Sequence, residues 1–294
     1  GGNDWALFPP EFGGDPKDSH DVQLQDCVRG GDYLNNQEMT EIFNVECLER
    51  LVECESYGVR YERKPDGRYN TRRFMNCTYP RGSGGVEGGS MKMMGIMIKT
   101  VHEKGIQVFK NIMITRLLKN DGRVVGAFGF NCKTGELHCF QAKATILCAG
   151  SATGLYKYPT CVNELKGDSY ALSYNAGAEL MNMEFLQFSI VTWLNGTIFR
   201  STMGIKPLIS AGFRWVNANG DRIVQQYDPK RLELIGWWEH VYTVNKEYDE
   251  GRGPVYLDVT HVPAEKFENE IENSHSIHFI MRQMGLNPRR DKVE

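Results

Sequence analysis

The stretch that decides the fold is IMITRLLKNDGRVVGAFGFNCKTGELHCFQAKATILCAG, residues 112–150. Its apolar runs are separated by Asn120-Asp121-Gly122 and Lys133-Thr134-Gly135. Turn residues of this kind between apolar runs are typical of β-hairpins, so the stretch, together with the apolar run Ile106–Phe109 before it, predicts an antiparallel meander. The meander leads into Ala144–Leu147, which we predict to be a buried strand ending in small residues. A strand that ends in small residues lets the backbone approach a ligand closely.

Helices are predicted on both sides of the meander. Apolar residues recur at helical spacing from Asn36 to Tyr57, and Gly58 then ends that helix. Further helices are predicted over 91–102 and 168–176.

Two other features divide the chain. A Pro65-Asp66-Gly67 turn between Val59–Arg63 and Arg68–Phe74 predicts a short hairpin. After Phe188 the sequence becomes aromatic and rich in turns, and we place a domain boundary there.

Composition excludes several classes of protein. Lys plus Arg number 34 against 37 Asp plus Glu, so there is no basic footprint for nucleic acid. The longest apolar run, 185–194, is shorter than the roughly 20 residues that span a bilayer. The eight cysteines form no CxxC pair, and His275 and His278 have no further ligand beside them, so we predict no metal or iron-sulfur site.

Basic side chains near loops are candidates for binding an anion. A guanidinium group grips a carboxylate or phosphate through two hydrogen bonds. The candidates are Arg72, Arg73, Arg200, Lys206 and Arg214, and solvated surface charge is the alternative for each. The glycine run 82–89 does not complete a GxGxxG or P-loop pattern, and we interpret it as a loop.

Several motifs, in order and spacing, resemble the flavoprotein subunit of succinate dehydrogenase and fumarate reductase. The resemblance covers most of residues 1–190. Its motifs are Asp18-Ser19-His20-Asp21, Arg29-Gly30-Gly31-Asp32-Tyr33-Leu34, Gly67-Arg68-Tyr69, Ala144–Gly150, Gly167-Asp168, Ala176-Gly177-Ala178 and Met183–Phe188. Other stretches, such as Asn111–Thr115 and Glu250–Tyr256, are more similar to the α subunit of adenylylsulfate reductase.

The resemblance implies a fold and a cofactor. It implies a Rossmann-like α/β FAD-binding domain over 1–187, interrupted by the antiparallel meander, and an inserted α+β capping domain over 188–294. Because the family's GxGxxG unit precedes the point where this chain begins, it also implies an internal part of a longer protein. The residues implied in FAD binding are Gly1, Gly2, Asn3, Met113, Ile114, Ala149, Gly150, Ser151, Gly154 and Asp168.

The activity implied is two-electron (hydride) transfer between flavin and a small anionic substrate. Arg214 and Arg200 are the candidates for proton delivery, and Arg73, Phe74 and Lys206 the candidates for substrate binding. The dicarboxylate enzymes of the family read Phe-His-Pro and Arg-Gly-Glu-Gly-Gly where this chain has Phe188-Ser189-Ile190 and Leu208–Gly212. The substrate therefore stays open.

The resemblance further implies a cytoplasmic location and an iron-sulfur partner subunit, with a membrane complex as a possible association, as in anaerobic respiration. Two alternatives remain. One is chemistry like that of adenylylsulfate reductase, and the other is a structural subunit of this fold without catalysis.

Overall fold

The computed structural model describes residues 6–73, 75–82, 89–159, 162–190, 192–194, 197–199 and 212–263, together with residues 265, 285, 287, 290 and 291. The chain divides into two compact units. The first comprises Gly1–Gly105 and Thr192–Glu294, and the second comprises Ile106–Val191. The predicted boundary divides the chain in another way, into an FAD-binding domain over 1–187 and a capping domain over 188–294. It stays a prediction.

Six α-helices are described. They are α1 (His20–Gly30), α2 (Gln37–Ser56), α3 (Gly89–Glu103), α4 (Asp168–Asn175), α5 (Ile223–Tyr227) and α6 (Trp237–Asp249). Caps fix where the first two begin, because the side chains of Ser19 and Asn36 accept hydrogen bonds from the backbone N–H groups of Val22 and Met39. The helices predicted over 36–57, 91–102 and 168–176 are thus confirmed within the usual uncertainty of helix ends.

Seven strands form three antiparallel sheets. The strands are β1 (Ile112–Asn120), β2 (Arg123–Asn131), β3 (Leu137–Gln141), β4 (Thr192–Leu194), β5 (Thr197–Phe199), β6 (Arg214–Val216) and β7 (Tyr256–Asp258). The first three pair in the order β1-β2-β3, β4 pairs with β5, and β6 pairs with β7. The predicted meander is therefore confirmed over 112–141, whereas Ile106–Phe109 belongs to none of the described strands.

The first unit has a core beneath α2. Ala6, Phe8, Leu51, Val59, Tyr61 and Tyr69 are buried there, with α3 contributing Met93, Ile96 and Met97. The hairpin predicted around 65–67 is reduced to a single bridge between Arg63 and Tyr69. The bridge is held by the N–H of Lys64, which donates to the carbonyl of Arg68, and by the N–H of Asn70, which donates to the carbonyl of Glu62, while the N–H of Tyr69 points outward and donates to the carbonyl of Phe12.

The strand predicted over Ala144–Leu147 is wrong. These residues belong to no sheet, and Ile146 is 89% exposed. A strand requires a hydrogen-bonding neighbour, and no segment among the described residues pairs with this one. Among the described helices, none is both long and apolar enough to cross a bilayer.

Candidate functional site

The segment 144–150 leaves its backbone unpaired. Within the part of the chain that the structure describes, its N–H and carbonyl groups make no hydrogen bond. Six of its seven residues, including Ala149 and Gly150, are exposed. Unpaired backbone groups must find water, a neighbouring strand or a ligand. We call residues 144–150 the open segment.

The open segment is followed by two loops, one around Gly154 and one around Leu165, that are hydrogen-bonded to each other. We call them the loop pair. The N–H of Gly154 donates to the carbonyl of Leu165 at 2.8 Å, and the N–H of Gly167 donates to the carbonyl of Ser151 at 3.2 Å. The ammonium group of Lys166 donates to the carbonyl of Gly154 at 2.8 Å. These bonds fix the chain immediately after the open segment.

Two predicted site glycines are required by this loop packing. A Cβ at Gly154 would lie 2.6 Å from the carbonyl oxygen of Asn163, and Gly154 is buried. A Cβ at Gly150, where φ is +82°, would lie 2.5 Å from Leu165. Contacts within the chain are thus enough to explain why both positions are glycine. Their contact with FAD stays a prediction.

The other cofactor candidates among the described residues lie in the same unit. Asp168 is the first residue of α4, which follows Gly167 in the left-handed conformation. Helix α4 contacts β1, the strand that carries Met113 and Ile114. Met113 is 44% exposed and Ile114 is half-buried. The described cofactor candidates therefore come from one strand, one loop pair and one helix terminus.

Arg214, a candidate catalytic residue, lies at the start of β6 with its side chain exposed. It makes no ion pair with any carboxylate among the described residues. By contrast, the other three arginines of 212–263 are all paired, Arg222 with Glu233, Arg231 with Glu239, and Arg252 with Glu247. Arg214 is thus the arginine of this region whose guanidinium stays available to an anion.

Arg73 is exposed too, and its Nε donates to the carbonyl of Cys77 at 2.9 Å. The remaining predicted site residues lie outside the described residues: Gly1, Gly2, Asn3, Phe74, Arg200 and Lys206. His275 and His278 also lie outside them. Among the described residues, no three His, Cys, Asp or Glu side chains are grouped to hold a metal ion.

Sequence reasoning missed the histidine that holds β6. The indole N–H of Trp215 donates to Nδ1 of His240 at 3.1 Å, and Nε2 of His240 lies 3.1 Å from the carbonyl of Glu233. Burial lowers the pKa of His240 to about 4, so its ring is neutral and donates through Nε2. This bond fixes the strand that carries Arg214. No sequence motif surrounds His240, so no local signal could have revealed it.

A buried ionic cluster was also missed. Arg81 is fully buried and donates to Asp18 at 2.6 and 2.8 Å and to Asp26 at 2.6 Å. Thr78 donates to Asp26 through both its N–H and its hydroxyl, each at 2.7 Å. We call Asp18, Asp26, Thr78 and Arg81 the Arg81 cluster. Burial opposes the charge of Arg81, but its bonds to Asp18 and Asp26 outweigh this and raise its pKa.

The open segment is compatible with a dinucleotide cofactor. Its exposed small residues and unpaired backbone groups leave room for close approach by a ring or ribose. FAD is therefore compatible with the residues that the structure places here.

The comparisons with known proteins agree. Residues 1–292 match the family described as FAD binding domain. The chain is 32% identical over 262 residues to one of the subunits of the fumarate reductase (CoM/CoB) of Methanothermobacter marburgensis, covering 88% of this chain and 48% of that protein. A variant of the quinol fumarate reductase of Escherichia coli aligns with a TM-score of 0.82 and 25% identity over 99% of this chain and 51% of that one.

Adenylylsulfate reductase of Archaeoglobus fulgidus aligns with a TM-score of 0.68 and 15% identity, over 94% of this chain and 47% of that one. At that identity the likeness shows the fold alone. The chain belongs to the FAD-binding domain family, within a fold shared by flavoprotein oxidoreductases. It spans about half the length of the relatives it matches. The predicted fold class and the predicted cofactor, FAD, are confirmed by these findings.

Proposed function

We propose that this chain is the FAD-binding part of an oxidoreductase of the fumarate reductase and succinate dehydrogenase flavoprotein type. The observation that carries the proposal is the match of residues 1–292 to FAD-binding domains, together with relatives named fumarate reductase. The protein would exchange two electrons with a small anionic substrate, and bound FAD would supply the hydride chemistry.

The cofactor would lie against the open segment. The N–H and carbonyl groups of Ala149 and Gly150 are unpaired among the described residues, so they can bind polar atoms of FAD without breaking an existing bond. The loop pair around Gly154 holds the end of this segment in place. Ser151 and Asp168 would add polar contacts near the start of α4.

The substrate would be held by a set of basic side chains. Arg214 is exposed and without an ion pair among the described residues, and it is fixed by the strand that Trp215 and His240 hold. A guanidinium matches a carboxylate or sulfur oxyanion geometrically, and it could also pass a proton to the substrate. Arg73, Arg200 and Lys206 are proposed to complete the anion site, and Phe74 to contact the substrate.

Electrons would reach the flavin from an iron-sulfur partner subunit. The similar protein of Methanothermobacter marburgensis is named as a subunit, which supports a complex of more than one chain. Association of that complex with a membrane would follow the same family pattern.

The test is made on the purified full-length protein. We expect a flavin absorbance spectrum, and reoxidation of the dye-reduced protein by a small dicarboxylate such as fumarate. A colourless protein would contradict the proposal. Reoxidation by adenylylsulfate in place of dicarboxylates would reassign the substrate to sulfur chemistry, and a flavin that no small anion reoxidises would favour a structural role without catalysis.

A further inference from the structure

One lysine ammonium group is held within the loop pair that follows the open segment. Lys166 lies in the loop around Leu165, and its Nζ donates to the carbonyl of Gly154, in the other loop, at 2.8 Å. The next residue, Gly167, donates its N–H to the carbonyl of Ser151, the first residue after the open segment. The charge of Lys166 is therefore anchored close to the end of the open segment, although the residue is exposed.

The ammonium group of Lys166 keeps the capacity to bind an anion. An ammonium group has three N–H donors, and the carbonyl of Gly154 accepts from one of them. Within the part of the chain that the structure describes, Lys166 makes no ion pair, not even with Glu164 or Asp168, its nearest acidic neighbours in the sequence. The remaining donors and the positive charge are thus available to a ligand.

Other lysines of the chain use their charge differently. Lys99 and Lys246 each pair with a glutamate one helical turn away, at 3.4 and 3.9 Å. The ammonium group of Lys157 lies over the ring of Tyr158, 5.0 Å from its centroid. Lys166 is anchored by a backbone carbonyl instead, which carries no net charge and leaves that of the lysine unneutralised. A cation that is already held in place binds an anion at a smaller cost in side-chain entropy.

FAD offers two anionic groups to such a cation. Its diphosphate is negatively charged, and its ring gains one negative charge when it takes up two electrons and one proton. A lysine binds either of them as a compact point charge. A positive charge near the ring would also favour the reduced cofactor over the oxidised one.

We propose that Lys166 is a cofactor-binding residue whose ammonium group donates to an anionic group of FAD. This inference rests on the proposed position of FAD against the open segment, and it adds a residue to which the resemblance did not point. Three observations carry it: the bond from Lys166 to Gly154, the unneutralised charge, and the bond from Gly167 to Ser151.

The test measures the Kd for FAD of the purified full-length protein after its flavin has been removed, by quenching of flavin fluorescence. Lys166→Arg keeps the charge and should bind FAD within about threefold of the unaltered protein. Lys166→Gln and Lys166→Met both remove the charge, and each should raise the Kd by about tenfold or more, because a charge-assisted hydrogen bond is lost.

The dependence of binding on salt separates this role from one confined to holding the loop pair. Because salt screens exposed charges, the Kd of the unaltered protein should rise between about 50 and about 500 mM NaCl, and that of the two neutral variants should rise less. A lysine that only holds Gly154 would give a different result. Lys166→Gln, which keeps an N–H donor, would then bind like the unaltered protein, and Lys166→Met would keep the full dependence on salt.

The reduction potential of the reconstituted flavin, measured by equilibration with a reference dye, distinguishes the two anionic groups. If Lys166 binds the reduced ring, Lys166→Met should lower the potential, because the reduced cofactor loses more binding than the oxidised one. If Lys166 binds the diphosphate, both states lose binding equally and the potential should not move. The matched control is Lys133→Met, which removes an exposed lysine between β2 and β3 and should change neither Kd nor potential.

Three results would overturn the proposal while leaving the proposed function in place. They are an unchanged Kd in Lys166→Met, a raised Kd with unchanged dependence on salt, and an equal rise in Lys133→Met, which would show a general effect of charge. In each of these cases the unaltered protein still binds FAD. An unaltered full-length protein that binds no FAD would overturn both the proposed function and the role of Lys166.

Discussion

The Arg81 cluster and the open segment satisfy their polar groups in opposite ways. In the cluster, one buried guanidinium meets two buried carboxylates, and Thr78 donates two further bonds. In the open segment, no backbone group of residues 144–150 has a partner among the described residues. A group that the chain already satisfies holds the fold together, whereas an exposed group that it leaves unsatisfied is available to a ligand. Substitutions in the two regions should therefore separate stability from binding.

The largest effect is expected at Arg81. The substitution Arg81→Met leaves the buried Asp18 without a counter-charge and leaves Asp26 with only the half-exposed Arg29, and should lower the free energy of unfolding by about 3–5 kcal/mol. Chemical denaturation followed by circular dichroism measures this. The matched control is Arg123→Met at an exposed position, with an expected change within about 0.5 kcal/mol. Equal losses in the two variants would show that the cluster does not hold the fold.

His240 should make stability depend on pH. Its folded pKa of about 4 lies below the ordinary value of 6.5, so between those pH values the unfolded chain binds the proton and the folded chain does not. Stability should be fully present above pH 6.5, and by pH 4 should have fallen by up to about 3 kcal/mol. Denaturation midpoints measured across this window test the slope.

The control for this titration is His240→Gln. The amide oxygen can still accept from the indole N–H of Trp215, but the side chain does not titrate. We expect this variant to be less stable at neutral pH and to lose the part of the slope that belongs to His240. An unchanged slope would assign the pH dependence to other groups.

Gly154 tests the loop pair that ends the open segment. A methyl group there would meet two carbonyl oxygens, of Asn163 at 2.6 Å and of Leu165 at 2.8 Å, so Gly154→Ala should cost about 1–3 kcal/mol. At Gly95, within α3, a Cβ meets nothing within 4 Å. There the same substitution should stabilise by about 0.5–1 kcal/mol, because alanine favours the helix. If both substitutions changed the free energy of unfolding in the same direction, the contacts around Gly154 would not determine the effect.

Sequence reasoning reached the elements whose signals are local. The meander follows from Asn120-Asp121-Gly122 and its partner turn, and α2 follows from its apolar period and the stop at Gly58. The Ala144–Leu147 strand could not be decided locally, because an apolar run becomes a strand only when another segment pairs with it.

Pairs of residues that lie far apart in the sequence could not be predicted, for a related reason. Arg81 meets Asp18 and Asp26 across 63 and 55 residues, and Trp215 meets His240 across 25. No spacing rule connects residues so far apart. For the candidate site, the resemblance pointed to Ala149 and Gly150, and the basic side chains near loops pointed to Arg214. Only the structure shows that the first two are exposed and that Arg214 lacks an ion pair among the described residues.

In the open segment, a substitution should change binding without changing stability. Ala149 is exposed, so Ala149→Leu should alter the free energy of unfolding by no more than about 0.5 kcal/mol. Its longer side chain would hinder close approach to the backbone, so the flavin content of the purified full-length protein should fall. Ala142→Leu makes the same change at an exposed position before the segment, and should retain the flavin. Full flavin content in Ala149→Leu would place the cofactor elsewhere.

The smallest effect on stability is expected at Arg214, where the guanidinium has no carboxylate to lose among the described residues. Arg214→Gln should leave the free energy of unfolding within about 0.5 kcal/mol of the unaltered protein and leave the flavin spectrum unchanged. It should nevertheless reduce kcat/KM for the anionic substrate by about tenfold or more, because a charge-assisted hydrogen bond to a substrate oxygen is lost. Arg231→Gln provides the contrast. It removes the ion pair to the buried Glu239, so it should destabilise the protein. If Arg214→Gln destabilised the protein and left kcat/KM unchanged, the role of Arg214 would be structural, like that of Arg231.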